Sequence, residues 1–177
     1  MQRNPRLARD SSKHPNESAD YTCSTCGFNL WVPIIRLNRS TLGLYNDARF
    51  PGRSILVTHH HYPMIEDVPG DVLSEYFVDL KIASRALRRA TDCDRVNIAF
   101  LGNAVQHAHA HLFPRSNSDA LRRHKSPWDV PRGAEEVLGD TEVRALVRRI
   151  ENAARSIRMA GIEDALSAQT PAGGSLF

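Results

Sequence analysis

Apolar and polar positions recur with two different periods along this chain, and the change of period marks out its elements. Residues 42–45 (LGLY) predict a strand, a turn follows through Asn46-Asp47 and Pro51-Gly52, and residues 54–58 (SILVT) predict a second strand. From Asp71 to about Thr91 the period lengthens. Leu73, Tyr76, Phe77, Leu80, Ala83 and Leu87 recur near i, i+3 and i+4, with Arg and Lys on much of the other side, which predicts a helix. Residues 96–101 (VNIAFL) are largely apolar, stop at Gly102, and predict a buried strand; residues 108–114 predict another. Residues 116–128 are polar and irregular. A second amphipathic helix is expected between Ala134 and Met159, with Val143, Leu146, Val147 and Ile150 on one side and Asp140 as a candidate N-cap. Strands, helix, strands, helix, joined by short connections, favour antiparallel pairing and an α+β class.

Composition narrows this picture. Residues 1–20 hold almost no large apolar side chain and read as a mobile arm, and the end from about Gly161 reads as a loose tail, leaving one domain over residues 21–160. A chain of 177 residues with 41% hydrophobic and 24% charged residues is ordinary for one soluble domain with a real core. A formal charge of +3 suits small phosphorylated ligands and is too small to argue for a nucleic-acid surface. No apolar stretch approaches the roughly 18 residues of a membrane helix, and the polar N-terminus lacks a signal-peptide core. The three cysteines do not suit a secreted disulfide framework, so a cytoplasmic location is expected.

The chemistry concentrates in His107-Ala-His109-Ala-His111. On a strand, residues i, i+2 and i+4 line one face about 6.6 Å apart, so the three imidazoles project together and the two alanines face the other way, where a helix packs close. Leu112-Phe113 follows and Pro114 closes the run, which favours the strand over a helix. Neutral imidazole is a good nucleophile and general acid–base near pH 7. A second feature is Cys23-Ser-Thr-Cys26, with the spacing of a zinc half-site, though a redox pair or an incidental pair has the same spacing.

His107-Ala-His109-Ala-His111-Leu112-Phe113 resembles the His-φ-His-φ-His-φ-φ signature (φ apolar) of the histidine-triad (HIT) superfamily of nucleotide hydrolases and transferases. The likeness extends outward. Leu101-Gly102-Asn103-Ala104-Val105 is similar to the glycine turn entering the triad strand, and Leu44 to Gly52 followed by SILV looks like the nucleotide-cradling hairpin. His61, upstream of Val68, sits where the family has a histidine before the long helix; Pro114-Arg115 and Pro127-Trp128 are also family-like. The resemblance covers about residues 21–130. It implies an antiparallel five-stranded sheet with a long helix packed on it and a C-terminal helix.

The resemblance also implies roles. His109 would attack the α-phosphorus and form a covalent nucleotidyl-histidine, His111 would hydrogen-bond the phosphate oxygens, and His107 would order the site or serve a metal. Asn46 and Asp47 would lie near the ribose, and Asn103 would contact the phosphate or leaving group; apart from the resemblance, Phe50 in the hairpin is a candidate either to pack on a base or simply to anchor its loop. Two departures bear on substrate: Asn103 stands where glutamine is frequent, and Ala104 where many members carry serine or threonine. Family precedent completes the cysteine pair with His61 and His107, giving a structural zinc site of Cys23, Cys26, His61 and His107. His60 replaces His61 if the register shifts by one, and His59 is expected at the surface.

Arg53 and Arg115 are near enough to steer a polyphosphate, and Trp128 either lids the pocket or anchors its loop. Arg122, Arg123 and Lys125 read as a solvated loop, Arg148, Arg149, Arg155 and Arg158 as the outer face of the last helix, and Cys93 as structural. The expected function is hydrolysis at the α-phosphorus of a dinucleoside polyphosphate or nucleoside phosphoramidate by a homodimer. The alternatives are a nucleotidyl transferase or a zinc-stabilised nucleotide-binding module with little turnover.

Overall fold

Side chains two apart along the inner strands serve one face of the sheet, and their neighbours serve the other. In the computed structural model, which describes residues 21–118, 125–130 and 137–169, the strands are β1 (Val32–Arg36), β2 (Ser40–Leu44), β3 (Ser54–Thr58), β4 (Arg95–Phe100) and β5 (His109–Arg115). They form one sheet in the order β1-β2-β3-β5-β4, with every ladder antiparallel. Helices α1 (Gly70–Thr91) and α2 (Asp140–Gln169) pack against each other and on one face. This is the α+β architecture expected from the pattern.

The helix face holds the main core. Leu42 and Leu44 of β2, Leu56 of β3, and Ala110 and Leu112 of β5 join Tyr76, Leu80, Ala83 and Leu87 of α1 and Leu146 and Ile150 of α2. Ala110 is fully buried there, so helix α1 approaches where the alternation leaves only a methyl group. The opposite face carries Ile55 and Val57, covered by Tyr21, Cys23, Phe28 and Leu30 from the segment before β1. In register, Val57 pairs with His109 and Ile55 with His111, so the histidines share this second face.

Several elements depart from the sequence reading. Strand β1 was not predicted by pattern, because Pro33 interrupts it; the chain accommodates proline at the sheet edge, with a register shift between Pro33 and Ile35. Strand β2 begins at Ser40 and ends at Leu44, earlier than residues 42–45. The apolar run at 96–101 is not a buried strand: β4 is the other edge, and Ile98 and Phe100 remain 42% and 36% exposed. Apolar content alone does not distinguish an interior strand from an edge awaiting cover. Asp140 is the first residue of α2 rather than its cap, and Val143 N–H bonds Gly139 C=O. The helix continues through Gly161 to Gln169, past the expected start of the tail, since one glycine costs only about 1 kcal/mol in a helix. The proposed arm at 1–20 and the residues after 169 lie outside the described residues.

The turn between β1 and β2 is fastened to α1 by one carboxylate. Asp79, buried at 1% exposure, accepts from Asn38 N at 3.1 Å, Arg39 N at 2.7 Å and Ser40 Oγ at 2.8 Å. Removing it leaves those donors unpaired beside the core. Asp79→Ala is expected to cost on the order of 3 kcal/mol by urea denaturation; a change below the error of the measurement would show that the turn holds without it.

Candidate functional site

Strand β5 and the residues just before it set the histidines in a row. His107 is buried, and its Nε2 lies 3.1 Å from Thr58 C=O, an acceptor, so Nε2 carries the proton and Nδ1 keeps its lone pair. Tyr21 Oη donates to the same carbonyl at 2.6 Å and lies 3.1 Å from His107 Nε2. His109 Nδ1 donates to the His107 carbonyl at 2.6 Å, which leaves the lone pair on Nε2. That nitrogen faces His111 Nε2 at 3.2 Å. Phe28 stacks on His109 at a centroid distance of 5.6 Å, and Phe113 lies in the same way beside His111 at 6.1 Å. His111 Nδ1 is buried with no partner among the described residues.

The lone pair on His107 Nδ1 points at Cys26 Sγ, 3.4 Å away, while Cys23 Sγ lies 3.8 Å from His61 Nδ1. The ligand atoms of Cys23, Cys26, His61 and His107 all fall within 4.8 Å of one another. Tetrahedral zinc with Zn–S near 2.3 Å and Zn–N near 2.05 Å needs sulfur–nitrogen separations of roughly 3.5 Å, so the four residues fit such an ion. The fit includes the outer contacts, since His107 holds its other nitrogen on a carbonyl, as metal-bound imidazoles do. The cysteines sit on a tight turn closed by Cys23 N–H to Phe28 C=O and Gly27 N–H to Cys23 C=O, both 2.8 Å. Gly27 has φ +70, a conformation that favours glycine. His60 is exposed and stands outside the group, whereas His59, expected at the surface, is half-buried at the end of β3.

The hairpin residues are tied up by internal contacts. Asp47 is fully buried and binds Arg49 Nε at 2.8 Å, Arg49 Nη2 at 2.7 Å and Arg53 Nη1 at 2.6 Å. Burial works against its charge, but the two guanidinium groups outweigh that and hold its carboxyl below the usual range. Its oxygens are therefore not presented to a ribose. Asn46 Oδ1 accepts from Leu138 N at 2.8 Å, securing the approach to α2. Phe50 is buried with Phe113 and Val130, so it supports the site from beneath instead of offering a face to a base. Asn103 is exposed in the turn before His107. Arg53 lies between two rings, its guanidinium carbon 4.0 Å from the Tyr45 centroid and 4.5 Å from that of Phe113.

Gly52 lets the hairpin pack close against the end of α1. It has φ +87, and a Cβ there would meet Thr91 Cγ2 at 2.6 Å. Arg115 is buried, and its Nη2 donates to Lys125 C=O at 2.8 Å. Cys93 is half-buried, with Sγ 3.3 Å from Arg95 C=O, while Arg148, Arg149, Arg155 and Arg158 are exposed on α2. Arg122 and Arg123 lie outside the described residues. Tyr21, Phe28, Thr58 and Arg49 carry site contacts that no motif signals, because each is brought in by a long-range contact or by the buried network around Asp47.

Comparison with known proteins accords with this arrangement. The HIT domain matches residues 32–118. An adenylylsulfatase of Arabidopsis thaliana, HINT3, is 30% identical over 89 residues, covering 44% of this chain and 45% of that protein, so the match spans less than half of the relative's length. A histidine triad protein from Bradyrhizobium japonicum superposes with a TM-score of 0.62 at 27% identity, over 70% of this chain and 90% of the other. A histidine triad protein from Sinorhizobium meliloti 1021 gives 0.62 at 24%, over 69% and 88%. A Zn-bound histidine triad family protein from Mycobacterium smegmatis shares the fold, with a TM-score of 0.56 at 19% identity, over 72% and 86%.

His111 is pushed down to about 4 by burial first, then by His109 and Arg53. Its ordinary value is 6.5, so between these values the unfolded chain takes up a proton that the folded protein refuses. The stability that the neutral ring contributes is present above that window and is lost as pH falls through it. His111→Gln should flatten the fall in urea midpoint between about pH 6.5 and pH 4.5 relative to the parent; parallel curves for the two proteins would count against a neutral, buried His111.

Proposed function

Because the chain belongs to the histidine-triad (HIT) superfamily, we propose that it is a nucleotide hydrolase acting at the α-phosphorus through a covalent nucleotidyl-histidine. One observation carries the reading. The His109 Nδ1–H bond to the His107 carbonyl leaves a lone pair on Nε2, 3.2 Å from His111 Nε2. In the proposed reaction His109 Nε2 forms a bond to phosphorus while the bond from phosphorus to the leaving group breaks, and the leaving group takes that electron pair. His111 Nε2–H turns to a non-bridging oxygen as charge grows there. Water then attacks phosphorus, the nucleoside monophosphate departs, a proton is released, and His109 is regenerated.

The substrate class is an ester, anhydride or phosphoramidate at a nucleotide's α-phosphorus, with dinucleoside polyphosphates and phosphoramidates both included. The adenylylsulfatase likeness adds a mixed phosphate–sulfate anhydride to that class. Exposed Asn103 is the candidate contact to the phosphate or leaving group. Asn46, Asp47 and Phe50 act one step back, holding the hairpin, Arg53 and Phe113 in place.

Zinc held by Cys23, Cys26, His61 and His107 would be structural, fixing the segment from Tyr21 to Leu30 on the sheet and orienting His107, and would take no part in bond making. Both thiols must be reduced to hold it, which suits a cytoplasmic setting. Among the described residues no helix is long and apolar enough to cross a membrane. A homodimer is supported by the apolar edge where Phe77, Val78, Ile98 and Phe100 are all at least 36% exposed.

The reading is tested with diadenosine tetraphosphate and an adenosine phosphoramidate. His109→Gly should lower AMP release on the order of a thousandfold or more against the parent. Equal, negligible release by both proteins, with nucleotide still bound, would instead establish a binding module. For the metal, elemental analysis should find one zinc per chain in the parent and none in Cys23→Ser, with a lower melting temperature in the variant. Full zinc in Cys23→Ser would remove Cys23 from the ligand set.

A further inference from the structure

Beyond His111 on the histidine face, a cavity of about 410 Å3 lies between the sheet and residues 126–128. Residues 97–99 of β4, Phe113 and residues 126–128 form its walls. It adjoins the histidines directly, since Ala99 pairs with His111 and Asn97 with Phe113 across β4 and β5. The Phe113 ring stacks beside His111 and meets Trp128 edge-on at 5.2 Å.

The segment over this cavity is clamped at both ends. Arg115 Nη2 donates to Lys125 C=O at 2.8 Å, and Arg49 Nη1 donates to Val130 C=O. Val130 is itself buried against Phe50 and Phe113. Both arginines are at least nine-tenths buried, an expensive way to hold a surface segment. Yet Trp128, at the centre of the clamped stretch, is 54% exposed. Its indole is held in place and left open.

We propose that this slot binds a planar heteroaromatic ring of the nucleotide substrate, stacked on Trp128, with the Asn97 amide reading the ring's polar edge. The inference rests on the nucleotidyl-histidine reading for the identity of the ligand. The volume falls within the roughly 300–1,000 Å3 of small-molecule sites, and aromatic walls with few polar groups are what a base requires. A second copy of the chain is a poorer occupant. Of the exposed apolar side chains on β4, Phe100 stands outside the slot, and Ile98 borders it from the helix side, where its register partner is Leu112.

The chain has two tryptophans, so Trp31→Phe leaves Trp128 as the sole emitter. In a Trp31→Phe, His109→Gly protein, which does not turn over substrate, diadenosine tetraphosphate should quench the emission saturably, and Asn97→Ala should weaken that binding. In otherwise native protein, Trp128→Ala should lower kcat/KM for diadenosine tetraphosphate on the order of tenfold, with Trp128→Phe restoring most of it. Adenosine 5′-phosphoramidate, with one ring, separates the sources. An equal loss on it assigns the slot to the attacked nucleotide, and a loss confined to the dinucleotide assigns it to the leaving nucleotide; either supports the proposal. Emission indifferent to nucleotide together with unchanged kcat/KM would overturn it, as would emission that follows protein concentration alone. Saturable quenching in a protein whose native form hydrolyses neither substrate would support the slot and reject the catalytic reading.

Discussion

The hydrogen bond from His109 Nδ1 to the carbonyl of His107, at 2.6 Å, exists because β5 begins at His109 just after the bend at His107 and sets His109 and His111 on one face. A carbonyl can only accept, so the proton of neutral His109 resides on Nδ1 and the basic nitrogen is turned outward. The orienting group is backbone, and its position depends on His107, whose ring is held by Thr58 C=O on one nitrogen and faces the cysteine pair with the other. The tautomer of the proposed nucleophile, the candidate metal ligands and the end of β3 are therefore coupled through two consecutive hydrogen bonds. Few other arrangements of three imidazoles on so short a segment would fix the protonation of the middle ring without a carboxylate.

A two-faced sheet makes this affordable in stability. Burial on the helix side, where leucines from β2, β3 and β5 meet α1 and α2, supplies the folding energy independently of the histidine face. The second face can then hold desolvated imidazoles, an open tryptophan and a buried ion-pair network, all of which a small single core would tolerate poorly. The segment from Tyr21 to Leu30 covers that face with a few apolar side chains, and Cys23, Cys26, His61 and His107 are placed where a bound metal would tether it.

What could be read from the chain alone follows from the range of the interactions concerned. The period of two at His109 and His111 and the helical period over 71–91 are local, and strand and helix stand where the pattern puts them, while His107 falls on a bend just before the strand. Pro33 hid β1 because a proline signals against a strand until its edge position is known. The exposure of β4 could not be read, since an apolar run says nothing about which side of the sheet stops. The surroundings of Asp47 were hidden for a related reason. A hairpin carboxylate looks available to a sugar, and only packing reveals Arg49 and Arg53 closing over it. Tyr21 lies 86 residues from the imidazole it touches, too far for any motif.

Electrostatics around His111 resolve an apparent conflict in this site. In the proposed reaction a nearby cation would help hold a polyanion, yet a charge on His111 itself would be desolvated and set beside His109 and Arg53. Arg53 meets both demands. It is neutralised in part by Asp47 and shielded between Tyr45 and Phe113, yet it still disfavours charge on His111, adding to the larger effect of burial. A neutral His111 keeps one N–H to donate, and donation without a full charge suits an oxygen that becomes more negative only as phosphorus is attacked. The buried Asp47–Arg53 pair is thus part of the setting of the third histidine.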